Sequence, residues 1–267
     1  MKKIILALTA SALCLSLLST HAQPGPRGRG MGGPPGPRFG GDMAKIFGEN
    51  STFSADLEFT LVSGPGNDGM TMPGKLAYLD GKSRFEMDMA QMKSKQMPPV
   101  DRMKQMGMDK MLVIGRPDKK VTYLVYSGLQ SYLESPITDA DAGQSESDYK
   151  LEITELGKDT VDGHACVKNK VVVTDKNGKA HESTVWNATD MKKFPVKIET
   201  KEQENTITML FKNVKLAKPD AAQFEPPADF KKYDSMMTMM QEQMMKRMGG
   251  GAGMPPGRMP PGQPPGQ

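Results

Sequence analysis

Histidine, cysteine and tryptophan are scarce in this sequence: its 267 residues hold three histidines, two cysteines and one tryptophan. Cys14 lies inside an N-terminal apolar run, so the chain beyond that run keeps Cys166 alone and forms no internal disulfide. Cys166 is expected as a small buried hydrophobe rather than a reactive thiol. His164 precedes it by two residues and resembles half of a Cys–His pair, but no third group to orient the imidazole is legible nearby. No catalytic motif emerges, and the chain is expected to be neither an enzyme nor the holder of a cofactor. An excess of one charge is also missing. The formal net charge is +4, and removing Lys2 and Lys3 with the N-terminal run halves it. That balance excludes a strong field for nucleic acid. Long apolar runs are lacking too. Ile4 to Leu18 is the longest, short for a bilayer, so no membrane span is expected in the mature chain.

The first residues have the layout of a secretory signal. Lys2 and Lys3 form a basic start, the apolar run follows, and Thr20-His21-Ala22 offers small residues around a spacer. Cleavage is expected after Ala22, which makes residues 1–22 a signal peptide and the mature protein periplasmic. Two tracts rich in Pro and Gly bracket the remainder, residues 23–41 and 249–267. Both are too poor in large apolar groups to offset chain entropy and are expected to be disordered. A folded domain is expected over 42–234, followed by a Met-rich helix over 235–248.

Inside the domain the apolar period is two. Phe53, Ala55, Leu57, Phe59 and Leu61 share one side of a predicted strand. Phe85, Met87 and Met89 face one way on another, with Arg84, Glu86 and Asp88 on its wet side. Turn signals at Asp80-Gly81, Asp162-Gly163 and Asn177-Gly178 join successive strands into an antiparallel meander. About ten strands in one sheet must curl or close. Helices are few: Met43 to Phe47, Pro99 to Met106, and Ser235 to Met248 with Ser235 as N-cap. At helical pitch Met236, Met237, Met240, Met244 and Met248 fall within an arc of roughly 120°, with Glu242 and Lys246 opposite.

Several phrases resemble a known family. Lys75 to Met87 (KLAYLDGKSRFEM), Val113 to Leu124 (VIGRPDKKVTYL), Val161 to Cys166 (VDGHAC) and Leu210 to Pro227 (LFKNVKLAKPDAAQFEPP) follow one another in the order seen there. They resemble a bacterial exported domain-of-unknown-function family similar to the LolA/LolB and RseB-like lipoprotein-carrier superfamily. The resemblance covers about Thr52 to Asp234. It implies a mainly β fold: a curved antiparallel sheet, an unclosed half-barrel, with short helices covering its concave face. In the carriers that face holds acyl chains.

Methionine is what the sequence has in excess, with 24 residues. Unbranched and polarizable, it fills irregular gaps and accepts varied partners. The functional expectation is therefore a periplasmic, non-enzymatic binding protein. It would hold an acyl chain, a lipoprotein or an apolar peptide against Phe59, Leu61, Phe85, Met87, Met89, Met103, Met106, Trp186, Met236, Met240 and Met244. Thioethers also select Cu(I) or Ag(I), and Met103, Met106, Met108 and Met111 are the candidate ligands for that alternative. A third expectation is an envelope-stress or assembly module whose Met-rich helix or tails recruit an envelope protein. Asp139, Asp141, Glu146 and Asp148 read as a solvated connector rather than a calcium loop.

Overall fold

Alternating apolar residues and Asp-Gly turns set the local structure. Asp80 and Gly81 both take positive φ, 47° and 86°, as do Asp162 and Gly163, 48° and 84°. Two left-handed residues in succession make the primed turn that matches strand twist, and Gly at the second place carries no Cβ penalty. The first turn joins β2 (Met70–Leu79) to β3 (Lys82–Asp88), and the second joins β7 (Lys150–Val161) to β8 (His164–Thr174). The computed structural model describes residue 39 and residues 41–64, 69–93, 100–137, 149–202 and 204–249. The signal peptide, most of the 23–41 tract, Met97, the acidic group at 139–148 and the tail from 250 lie outside these described residues.

Among the described residues one sheet of twelve strands holds the fold. The remaining strands are β1 (Thr52–Ser63), β4 (Lys110–Arg116), β5 (Val121–Tyr126), β6 (Ser131–Pro136), β9 (Ala180–Ala188), β10 (Pro195–Glu202), β11 (Asn205–Lys215) and β12 (Lys231–Tyr233). The order is β12-β6-β5-β4-β3-β2-β1-β11-β10-β9-β8-β7. The expected single meander is therefore two. β1 to β6 form one, β7 to β11 form the other, and the antiparallel pairing of β1 with β11 joins them. β12 departs further, since it runs parallel to β6. The reason is covalent: the chain leaves β6 at one edge and re-enters the sheet as β7 at the other.

That crossing demands curvature. Residues 137–149 must carry the chain past ten strand intervals, about 48 Å on a flat sheet before any rise along the strands. Their full stretch is about 50 Å, so a flat sheet leaves almost no slack. The aromatic core shows the same bend. Tyr78 on β2 and Phe194, just before β10, stand three intervals apart, yet their ring centroids lie 5.1 and 6.1 Å from that of Phe47. Among the described residues the two margins of the sheet do not pair with each other, so it is an unclosed half-barrel.

The concave inner face carries the main core: Phe53, Ala55, Leu57 and Phe59 of β1, Met72, Leu76 and Tyr78 of β2, Phe85 and Met87 of β3, Met209 and Phe211 of β11. Three helices meet this core: α1 (Gly41–Phe47), α2 (Val100–Met106) and α3 (Met236–Gly249). A smaller cluster lies on the outer face, where Ala77, Leu79, Leu112, Ile114, Tyr123 and Val125 pack under Phe224. Among the described residues no helix is long and apolar enough to cross a membrane.

Phe47 touches Phe53, Tyr78, Phe194 and Phe211 with centroids 4.9 to 6.1 Å apart, and is 2 % exposed. Replacing it with alanine leaves a cavity among four rings. Phe47→Ala is expected to destabilise the protein by ~3–5 kcal/mol, read as a lower urea midpoint at unchanged slope.

Candidate apolar binding site

The inner layer divides along the strands. Toward the Phe53 end of β1 it is aromatic, sealed by Phe47 of α1. Toward Leu61 it is built of thioethers. Phe59 stands between Met72 and Met209 in register, and Leu61 opposes Met70. Met87 pairs with Met111 across β3 and β4, and Met89 begins a short turn, Met89–Gln91, immediately beyond. Met87, Met89 and Met111 are buried, and Met92, Met103, Met108, Met236 and Met240 pack against the same cluster.

Two helices pack on the same cluster. No residue of α2 is buried. Its C-terminus is held instead by backbone approach: a Cβ on Gly107 would stand 2.9 Å from the Gly128 carbonyl oxygen, and one on Gly128 2.6 Å from that of Gly107. Only two glycines allow the chains so close. The other helix, α3, begins at Ser235, whose Oγ accepts from the Thr238 amide at 3.1 Å, as expected of the cap. Met239 is its fully buried residue, with Met236 and Met240 half-buried beside it.

Here the sequence-based stripe needs correction. Met237 is 79 % exposed and Met244 60 %, while Met239, placed outside the stripe, is at 0 %. The docked face lies roughly a quarter-turn from the one with most methionines. Glu242, assigned to the far side, faces β12: Lys231 Nζ donates to its Oε2 at 2.5 Å, and Lys246 Nζ stands 3.0 Å from its Oε1. Tertiary partners therefore choose the docked face, and a count of methionines on one arc does not.

Of the proposed site residues, Phe59, Leu61, Phe85, Met87, Met89, Met103, Trp186, Met236 and Met240 belong to one cluster. Met106 is half-exposed and Met244 points to solvent. Trp186 belongs to the cluster but is hemmed in by charged neighbours. It pairs in register with Lys168 and Lys197, while its neighbour Val185 pairs with Asn169 and Ile198. The indole thus faces outward, opposite to Val185. Lys197 Nζ lies 4.2 Å from the ring centroid and Lys168 Nζ 5.0 Å. Its N–H donates to Asp159 at 2.8 Å, the main reason that carboxyl sits below the ordinary range. The ring is 5 % exposed, clamped rather than offered to a ligand.

The copper alternative gains a partial grouping. Met103, Met108 and Met111 reach the common cluster, and Met106 does not. Among the described residues no group of three or more His, Cys, Asp or Glu is placed to hold a metal ion. The Cys–His motif resolves differently from a dyad. His164 Nδ1 lies 2.9 Å from Asp190 Oδ2, and this contact holds the Asp190 carboxyl low. Sequence reasoning misses Asp190 as the imidazole's partner, because 26 residues separate them. Cys166 Sγ instead donates to the His164 carbonyl oxygen at 3.3 Å, and burial pushes its thiol up.

Two clefts open on the outer face. One, of about 580 Å³, is lined by Asp56, Glu58, Lys75, Arg84, Glu86 and Lys110 among others. The second, of about 350 Å³, shares Glu58 and Lys212 with it and ends at Trp186. Charges of both signs make them unsuited to an acyl chain. Beside them Arg116, 7 % exposed, ties the Ala221–Phe224 turn to the sheet. It pairs with Asp118 at 2.8 Å and with Glu225, and donates to the Phe224 carbonyl oxygen at 3.2 Å. The hydrogen bond to Asp118, above all, raises its pKa.

The Glu242 carboxyl is held at about 2 instead of the ordinary 4.5, chiefly by its hydrogen bond from Lys231. A depressed carboxyl stabilises the folded form above its unfolded pKa and ceases to do so as pH falls through the folded one. Docking of α3 is thus expected to be constant at neutral pH and to loosen between 4.5 and 2. The Met239 methyl resonance, shifted by its buried site, reports this directly. Glu242→Gln should remove the pH dependence.

No protein-family model matches the sequence. No curated protein matches it either. Solved structures do. A LolA superfamily protein from Nitrosomonas europaea is similar at 7 % identity, over 69 % of this chain and 94 % of that one, with a TM-score of 0.37. Lipoprotein LppX of Mycobacterium tuberculosis is similar at 10 % identity over 65 % and 91 %, also at 0.37. MucB of Pseudomonas aeruginosa, solved in complex with MucA, is similar at 16 % identity over 71 % and 62 %, at 0.35.

Proposed function

We propose that this chain is an exported, non-enzymatic binding protein that takes an apolar ligand against the inner face of its half-barrel. The ligand class is an acyl chain, free or carried by a lipoprotein, or an apolar peptide. The observation that carries this reading is the contrast within the inner layer. One end is a packed set of aromatic rings and the other is thioethers, with two thinly anchored helices packed on the same layer. Methionine changes shape at little energetic cost. A layer of Met70, Met72, Met87, Met89, Met111 and Met239 can repack around a guest where a Leu or Phe layer would resist. The lids suit this role. α2 has no buried residue, and α3 leans on Met239, the half-buried Met236 and Met240, and one exposed ion pair.

Entry requires α3 to lift, so the apparent affinity is reduced by the fraction of time the helix is docked. Weakening the lid should therefore tighten binding. A fluorescent fatty acid titrated into delipidated protein is expected to saturate at one site. Glu242→Lys replaces the ion pair with repulsion from Lys231 and should raise affinity by up to ~5-fold, since an exposed pair contributes little. Absence of binding by both folded proteins would overturn the proposal. Copper is the competing occupant of a thioether layer, and a parallel Cu(I) titration separates the two. Stoichiometric Cu(I) uptake lost on changing Met103, Met108 and Met111 to Leu, without fatty-acid binding, would transfer the site to the metal.

A further inference from the structure

The two edges of the sheet are finished very differently. On one side β12 is three residues long and lies beside β6. On the other, β7 runs for twelve residues, with β8 as its one strand neighbour among the described residues. A long edge strand presents a row of unpaired N–H and C=O groups, and proteins usually blunt such edges. Here the blunting is partial. A bulge between Glu155 and Gly157 interrupts the strand, and Gly157 takes φ 141°. The preceding stretch, Lys150 to Glu155, keeps an uninterrupted register with β8.

That stretch is also apolar where polarity is expected. Ile153 is 60 % exposed, Leu151 38 % and Leu156 54 %. Leu151 opposes Val173 and Ile153 opposes Val171, both buried in the main core. Residues directly opposite share a face. Leu151 and Ile153 therefore prolong the concave apolar layer one strand beyond its cover. Residues 138–148, between β6 and β7, read TDADAGQSESD and hold no large apolar side chain, and Tyr149 after them packs on the main core.

We infer that β7 pairs with β7 of a second copy of this chain, antiparallel about a two-fold axis through Ile153. The register follows from charge. A two-fold normal to the sheet sets one residue against itself and pairs the others symmetrically around it. Centred on Glu152 or Glu155, the axis places like carboxylates face to face. Centred on Thr154, it opposes Lys150 to Lys158. Centred on Leu151, the ladder shrinks to residues 149–153. Centred on Ile153, the pairs are Ile153 with Ile153, Glu152 with Thr154, Leu151 with Glu155 and Lys150 with Leu156. No like charges meet, and the apolar residue of greatest exposure on the strand is buried against its own copy. The concave layer then continues from one chain into the next.

Cysteine cross-linking tests both the contact and its register. The native Cys166 is buried, so a thiol introduced in place of Ile153 reacts on its own account, with the unsubstituted protein as background. Directly opposite residues on antiparallel strands fall within disulfide reach, and residues offset by two do not. Ile153→Cys is expected to give a covalent dimer under mild oxidation, whereas Thr154→Cys, which opposes Glu152, is not. Sedimentation equilibrium should show a reversible dimer whose dissociation constant rises at least ~10-fold in Ile153→Lys, as like charges directly opposite repel. A monomer at all concentrations would overturn the inference. So would equal cross-linking by the two cysteine variants, a dimer indifferent to Ile153→Lys, or cross-linking of the Ile153→Cys variant to a different protein.

Discussion

The ladder between β1 and β11 is the interaction on which the rest of the molecule depends. It runs from Ser54 opposite Lys215 to Ser63 opposite Asn205. Each meander by itself is an open sheet with one greasy side. The ladder sets the two side by side with those sides facing the same way, so a single layer forms from Met72 and Leu76 on one meander and Val196 and Ile198 on the other. Its placement in the middle of the strand order also sends β6 and β7 to opposite margins. The crossing between them then bends the whole sheet, and the bend brings rings from distant strands onto Phe47.

Curvature makes an interior that has to be filled, and the two ends are filled by different chemistry. Rings meeting edge-on, such as Phe53 against Phe194 at 76° and Phe194 against Phe211 at 88°, form a shaped contact that tolerates little change. Thioethers fill the other end with no preferred geometry of that kind. Stiffness and pliancy are thereby separated along one layer. The outer face is governed by charge instead: Arg116 fixes the returning chain at Phe224, and Lys168 and Lys197 cover the indole of Trp186.

What the sequence reveals follows from how local each signal is. Period-two alternation exposes the inward set Phe53, Ala55, Leu57 and Phe59, because side-chain direction on a strand depends on parity alone. The Asp-Gly turns and the Ser235 cap are equally readable, each being fixed within four residues. Strand order is not local. Nothing within β7 announces that it forms an edge, and nothing in Lys231–Tyr233 signals a parallel partner at Ser131–Leu133. The candidate site is legible where it rests on parity, as at Phe85, Met87 and Met89. It is misread where it rests on docking, as at Met239, Met244 and Glu242.

The two partners of the central ladder stand far apart along the chain, with roughly 150 residues between them. Hairpins such as β2–β3 and β7–β8 close within microseconds once made, whereas a pairing this remote waits on loop-closure entropy. An N-terminus that leaves the ribosome first therefore carries Phe53, Leu57 and Phe59 uncovered until nearly the last strand arrives. Synthesis of this protein creates an interval in which a sticky, half-made sheet needs a chaperone or a rapid exit from crowded surroundings, and the length of that interval is set by topology rather than by any single residue.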